Sequence, residues 1–178
     1  MKQITFIFLF FTSVFGFSQS HYSTVSNRVL ISGIVNGDTV IIENIKNKVT
    51  LNGQLGILEV HYSNLDARVL GKFKDDLSPE RAEIPIDFTG EYSWLDAKLK
   101  TTEIETHFTD DINVILNNED QLIPVDVLIT RVRGAHGFMV FLQMKGKFSP
   151  KALKEDFPNL KFTDDLLFSI TLNIQVTN

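Results

Sequence analysis

Two stretches of strict alternation, joined by a glycine-containing segment, constrain the fold of this chain most. Every second residue is apolar from Ile123 to Ile129 and again from Phe138 to Met144. A period of two is typical of a strand with one buried face. The joining segment, Arg131 to Gly137, contains two glycines that tolerate positive φ, so the chain is predicted to reverse there. We expect a long antiparallel hairpin, covered by further strands because a lone hairpin is only marginally stable in water.

The rest of the chain also has the pattern of short antiparallel strands. Asn36-Gly37 and Asn52-Gly53 each separate two apolar runs, which is a strong hairpin signal, and together they predict a meander that begins with a strand at Arg28. The last strand, Leu166 to Val176, places six apolar side chains on one face. Further strands are predicted at 86–94, 103–108 and 112–116, with a bulge or a break undecided at 109–111.

Helical signals are few. Ser149-Pro150 followed by helix-forming residues and closed by Pro158 predicts a helix of about two turns. The charged segment from Lys72 to Glu83 is expected to be a loop with one helical turn at Ser78. Connections between the strands are too short for crossover helices, so parallel strands are not expected.

Eight or nine strands with one short helix define the fold class as all-β. Exposed sheet edges favour aggregation, and closure of the sheet removes them. We therefore predict an antiparallel up-and-down, lipocalin-like barrel of about eight strands, with a two-sheet β-sandwich as the alternative. A barrel of that size has an interior that is either packed or wide enough for one small ligand.

The amino terminus has the pattern of a secretory signal peptide. Lys2 precedes an apolar run from Ile4 to Phe17 that is too short to span a bilayer, and small residues flank Phe17. We expect cleavage near Ser18, a periplasmic or secreted location, a flexible segment at 19–27 and a single barrel domain at 28–178.

Composition restricts the chemistry and the partners of the chain. The absence of cysteine excludes disulfides and thiolate chemistry. Lys2 is the single charged residue of the first 18, so the remaining chain carries 16 basic and 22 acidic residues, a formal charge of −6. That charge disfavours nucleic acid as a partner. The clusters Lys145/Lys147 and Arg131/Arg133 have strand spacing and are interpreted as solvated strand faces.

No catalytic or metal-binding pattern is present in the sequence. The four histidines, at 21, 61, 107 and 136, are not spaced as metal ligands, and His61 and His107 could meet only if their strands pair. Acidic pairs at 75–76, 110–111, 119–120 and 164–165 are expected in turns rather than around calcium. We expect no cofactor, no bound metal and no enzymatic activity.

Apolar inward rows remain as the candidate binding feature. Nine phenylalanines follow the signal segment, and most lie on or near these rows. Such rows either fill a core or line a cavity for an acyl or isoprenoid chain. The predicted apolar wall comprises Val125, Val127, Phe138, Val140, Phe168, Ile170 and Leu172.

Three segments resemble the YceI-like family of periplasmic or secreted lipocalin-like barrels that bind isoprenoid or other amphiphilic lipids. They are the glycine turn within Val49–Leu55 that leads into Leu58-Glu59-Val60 and Asn64-Leu65, the proline strand Pro85–Gly90, and the alternating last strand. The resemblance implies an exported, non-enzymatic barrel that carries an apolar ligand. The alternative is an exported structural or adhesion-type sandwich that has a packed core and binds protein or glycan through its loops.

Overall fold

The computed structural model describes residues 21–73, 85–100, 103–116, 119–134, 137–149 and 161–177, which contain ten antiparallel strands, one short α-helix and two 3₁₀ turns, Asn64–Asp66 and Gly71–Phe73. The strands belong to one sheet, in the order β3-β4-β6-β7-β8-β9-β10-β1-β2-β5. Their bounds are β1 His21–Val35, β2 Asp38–Asn44, β3 Lys48–Asn52, β4 Ile57–Ser63, β5 Arg68–Leu70, β6 Pro85–Glu91, β7 Glu105–Leu116, β8 Glu119–Gly134, β9 Gly137–Phe148 and β10 Leu166–Thr177. Helix α1 spans Leu95–Lys100.

The sheet curls until its edge strand β3 returns to the first half of β1. Asn27 donates a hydrogen bond from Nδ2 to the Asn47 carbonyl at 2.9 Å, and Asn47 donates from Nδ2 to Asn27 Oδ1 at 2.8 Å. The ring of Tyr22 lies against Gly53, where a Cβ would come within 2.5 Å of it. The antiparallel barrel is therefore confirmed, and the two-sheet alternative is wrong for the described strands, which form one sheet.

The inward rows supply a continuous core. Strand β10 alternates as predicted, with every inward side chain from Leu166 to Val176 buried. In the central hairpin, β8 and β9 pair from Asp126↔Lys145 to Gly134↔Gly137, which confirms the hairpin and shows that the pairing continues into the segment predicted to be the turn. Strand β7 pairs with β8 without a register shift, so 109–111 is neither a bulge nor a break.

The first strand begins earlier than predicted. Residues 21–27 belong to β1 and pair with β10 from His21↔Thr177 onward, so the expected flexible segment is wrong from residue 21. A register shift between Thr24 and Ser26 leaves Val25 as an extra residue with 58% of its surface exposed. Because of this bulge, even-numbered side chains of β1 point inward before Val25 and odd-numbered side chains point inward after it. The alternation of apolar residues therefore does not keep one period along β1.

Two turn predictions have different outcomes. Asn36 and Gly37, at φ 52° and 84°, form the predicted tight turn. The second loop instead spans 53–56, with Gly56 at φ 72° and the Asn52 side chain accepting a hydrogen bond from the Leu55 amide at 3.1 Å. The side-chain bond of Asn52 closes a longer loop than an Asn-Gly pair alone would.

The predicted meander is wrong because β2 and β3 are not neighbours. Strand β2 pairs with β1 and with β5, whereas β3 pairs with β4. Helix α1 was not predicted; its two buried leucines, Leu95 and Leu99, are four residues apart, and Lys98 of the same helix lies 6.0 Å from the ring centroid of Phe108 on β7. The predicted signal peptide, the helical turn at Ser78 and the helix after Ser149 lie outside the described residues.

Candidate functional site

The predicted apolar wall lies together on the inward faces of β8, β9 and β10. Phe138 is half-buried, and each of the other six, Val125, Val127, Val140, Phe168, Ile170 and Leu172, has at most 1% of its surface exposed. The six buried side chains belong to one hydrophobic core cluster, and Phe138 is not part of it. Whether they form a wall around a ligand stays a prediction.

Aromatic rings fill the interior near this wall. The ring centroids of Phe88 and Phe168 are 5.0 Å apart, and those of Phe148 and Phe168 are 6.0 Å apart. Such distances are typical of rings in direct contact. An apolar ligand at these positions requires the inward side chains to separate.

An open apolar volume lies on the outward face of the same strands. We call it the outward groove; its volume is about 640 Å³. Two rows of residues cross it from strand to strand. One row is Ile41, Ser32, Leu167 and Lys147, and the other is Leu30, Ser169, Lys145, Asp126 and Thr109. Ile123, Pro124, Val125, Gly146 and Phe168 complete its lining.

The outward groove is apolar because three neighbouring strands carry consecutive apolar residues. Val29-Leu30-Ile31, Val40-Ile41-Ile42 and Leu166-Leu167-Phe168 each place an apolar side chain on both faces of the sheet. Leu167 has 49% of its surface exposed there. These triplets are the sequence signal for an apolar outward face. Alternation with a period of two does not reveal them, because it marks strands with only one apolar face. Of the predicted wall, Val125 and Phe168 reach the groove and the other five residues do not.

Two lysines border the groove on strand β9. Lys145 and Lys147 point outward at alternate positions, in agreement with their prediction as an exposed strand face. Within the described part of the chain neither lysine forms an ion pair. Asp126 lies opposite Lys145 in the ladder and supplies the acidic side chain of the lining.

An aromatic cluster lies next to α1. The rings of Tyr92 and Trp94 are 5.0 Å apart, those of Trp94 and Phe108 are 4.9 Å apart, and the Trp94 indole N–H donates a hydrogen bond to Asp110. Tyr92 is buried, and its hydroxyl has no hydrogen-bond partner among the described residues. Burial, with the nearby carboxylates of Asp110 and Asp111, raises the pKa of Tyr92.

Arg131 corrects the interpretation of the second basic cluster. It lies on the inward side of β8, half-buried, with its guanidinium carbon 3.6 Å from the ring centroid of Phe138. Its Nε and Nη1 atoms are buried without a hydrogen-bond partner in the described structure. Burial lowers the pKa of Arg131. The cation over an aromatic face compensates part of the desolvation cost.

The two described histidines of β4 and β7 lie apart from each other, and one of them is paired with a carboxylate. His61 Nδ1 lies 2.6 Å from Asp87 Oδ1, and His107 is on β7, which is not a neighbour of β4. No group of three or more metal-ligating side chains occurs among the described residues. The prediction that Asp110 and Asp111 lie in a turn is wrong, because both belong to β7.

The comparisons with known proteins give a likeness of fold. No family model matches the chain, and no curated protein matches its sequence. A solved polyisoprenoid-binding domain from Saccharophagus degradans, implicated in plant cell wall breakdown, superposes with a TM-score of 0.62 at 8% identity, over 88% of this chain and 99% of that chain. The barrel predicted from sequence is thus similar in fold to this polyisoprenoid-binding domain. Among the described residues, no helix has the length and apolar character needed to cross a bilayer.

Proposed function

We propose that this chain is an exported, non-enzymatic barrel of the YceI-like kind that binds an apolar or amphiphilic ligand, an isoprenoid or acyl lipid. Its barrel fold is similar to that of a polyisoprenoid-binding domain, which supports the class of ligand. The outward groove is lined by two lysines and one aspartate and by no histidine, which supports binding rather than acid–base catalysis at this site.

The observation that carries the proposal is the outward groove. Its volume of about 640 Å³ lies within the range of about 300 to 1,000 Å³ that is typical of ligand pockets. Leu30, Ile41 and Leu167 offer apolar surface that binding would remove from water, which stabilises a complex by about 25 cal/mol per Å². The groove accepts a chain without displacement of the buried wall, so we place the ligand there, against the edges of Val125 and Phe168.

Native mass spectrometry of the mature protein, purified from its own compartment and followed by solvent extraction, tests the function. We expect a discrete additional mass of lipid size. The variant Leu167→Asp should lose that mass, because it puts a carboxylate into the groove at a half-exposed position that tolerates it. Leu122→Asp is the matched control: Leu122 is 71% exposed on β8 and is not among the groove residues.

One outcome of this experiment tests where the ligand binds, and another tests whether the protein binds a ligand at all. A lipid retained by Leu167→Asp would move the ligand to the interior wall. A bare polypeptide mass, repeated after incubation with mixed lipids, would contradict ligand binding.

The closed interior favours a second candidate function, a structural or adhesion-type module that binds protein or glycan through its loops. The six buried wall residues and the contacting rings of Phe88 and Phe168 are what a fully packed core requires. Exposed apolar side chains at Leu55, Leu65 and Ile104 lie outside the strands, where such a module would bind. A bare mass together with glycan-array or pull-down binding that Leu55→Ser abolishes would support this candidate.

Export is tested separately from binding. Fractionation of the producing cell should place the protein outside the cytoplasm, and amino-terminal sequencing should begin near Gln19. A cytoplasmic protein with an intact amino terminus would contradict this part of the proposal.

A further inference from the structure

The outward groove has a positively charged side, formed by two lysines of β9, and an apolar side. We propose that the groove binds a single-chain fatty carboxylate, with the carboxylate at Lys145 and Lys147 and the acyl tail crossing Leu167 toward Ile41. This inference rests on the proposed function and adds the class of head group and the direction of the chain.

The charges of the groove select an anion. Lys145 and Lys147 are alternate residues of one strand, about 7 Å apart along it, so one carboxylate between them can accept hydrogen bonds from both ammonium groups. Neither lysine is paired within the described part of the chain. Asp126 is the one acidic residue of the lining, so the lining has a formal charge of +1 on a chain of net charge −5.

The register of the strands gives the tail its path. Lys147 lies opposite Leu167, Leu167 lies opposite Ser32, and Ser32 lies opposite Ile41. Three strand spacings of about 4.8 Å separate the lysine from the isoleucine, about 14 Å in total. A dodecanoate chain has this reach, and the parallel row that contains Leu30 widens the apolar floor beneath it.

Shape and net charge favour one free chain over a larger partner. A volume of about 640 Å³ accommodates a single acyl chain, whereas a bilayer presents a flat surface. An anionic membrane would also be repelled by the net negative charge of the chain. A head group without charge would leave both lysines without their anionic partner.

Isothermal titration with dodecanoate and with 1-dodecanol, each below its solubility limit, tests the inference on the full mature chain. We expect dodecanoate to bind about tenfold more tightly than the alcohol at low salt, with the difference reduced at high salt. The double variant Lys145→Gln/Lys147→Gln should lose that preference and retain binding of the alcohol. The control Lys48→Gln/Arg133→Gln removes the same charge from exposed positions outside the groove and should keep the preference.

Three results would overturn the inference, and they differ in what else they overturn. Equal affinity for the acid and the alcohol, unchanged in the lysine variant, would leave the proposed function intact and reject the head group. Binding of neither ligand would reject the proposed function together with the inference. A concentration-dependent dimer that Leu167→Asp dissociates would assign the groove to a second copy of the chain.

Discussion

A Cβ placed on Gly146 would lie 2.6 Å from Cζ of Phe168, so the Phe168 ring occupies the space that a side chain at position 146 would need. The two residues are direct partners in the ladder between β9 and β10. Phe168 also contacts the rings of Phe88 and Phe148. A glycine on β9 is therefore what allows these three rings to pack inside the barrel.

Gly146→Ala should destabilise the protein by about 1–3 kcal/mol, because the added methyl group displaces the Phe168 ring in a close-packed core. Urea unfolding followed by tryptophan fluorescence measures the change. Gly134→Ala is the control, since the nearest atom to its Cβ is at 3.6 Å, an ordinary contact. Equal stability of the two variants would mean that the Phe168 ring moves without cost.

Ile170→Asp should prevent stable folding, because it buries a carboxylate where the native side chain is 1% exposed. Ile170→Val keeps the apolar character and should cost about 0.5–1.5 kcal/mol. Circular dichroism and thermal unfolding of both variants provide the measurement. A well-folded Ile170→Asp protein would show that this row does not face a core.

Glu43 on β2 forms ion pairs with Arg28 on β1 and with Arg68 on the short strand β5. Its carboxylate has 4% of its surface exposed, and Oε1 and Oε2 lie 2.5 Å from Nη2 of Arg28 and of Arg68, respectively. Burial raises the pKa of Glu43, but the hydrogen bonds and charges of Arg68 and Arg28 outweigh it and hold the pKa below its usual value of 4.5. The ionised form is thus bound more favourably in the folded state.

Glu43→Gln should therefore cost about 1–3 kcal/mol at neutral pH, since it removes a charge that accepts hydrogen bonds from both arginines. The folded-state pKa is depressed, so this stability is present above pH 4.5 and is lost as the pH falls through the folded-state pKa. Unfolding free energies of the wild type and the variant should converge on acidification. Glu91→Gln, at an exposed position of β6, should show no such convergence.

Two glycines with similar backbone angles should differ in their tolerance of alanine. Gly37 has φ 84° with no atom within 4 Å of its Cβ position, whereas Gly56 has φ 72° with the Tyr92 carbonyl oxygen 2.5 Å from it. Gly37→Ala should cost about 1 kcal/mol from the left-handed backbone alone. Gly56→Ala adds a clash with fixed backbone and should cost several-fold more in chemical unfolding. Similar losses of unfolding free energy in the two variants would show that the loop at 53–56 shifts to accommodate the added methyl group.

The parts of the fold that sequence analysis predicted are those set by local alternation. Leu166 to Val176 keeps one period throughout, and a slip of one residue would turn its whole apolar row toward water. Strand β1 was only half predicted because the bulge at Val25 interrupts that period. Helix α1 offers just Leu95 and Leu99 as a helical signal, which is too little to distinguish it from a strand end.

The candidate site depends on long-range register, which local patterns do not contain. Ser32 and Leu167 meet because β1 pairs with β10, and Ile41 joins the same row through β2. From sequence, Leu30, Ile41 and Leu167 are isolated exceptions on polar faces. They become a surface only when strands from the two ends of the chain are adjacent.

The pairing of His21 with Thr177 has a kinetic consequence for this barrel. Contacts between residues so distant in sequence are slow to form, because a long loop must close before they stabilise anything. Strand β10 is also the partner of β9, so until it is available two strands lack a neighbour. A ribosome that has not yet released the twelve residues of β10 holds a chain that cannot finish folding, and a truncation there would leave open edges on β9 and β1 that are prone to association.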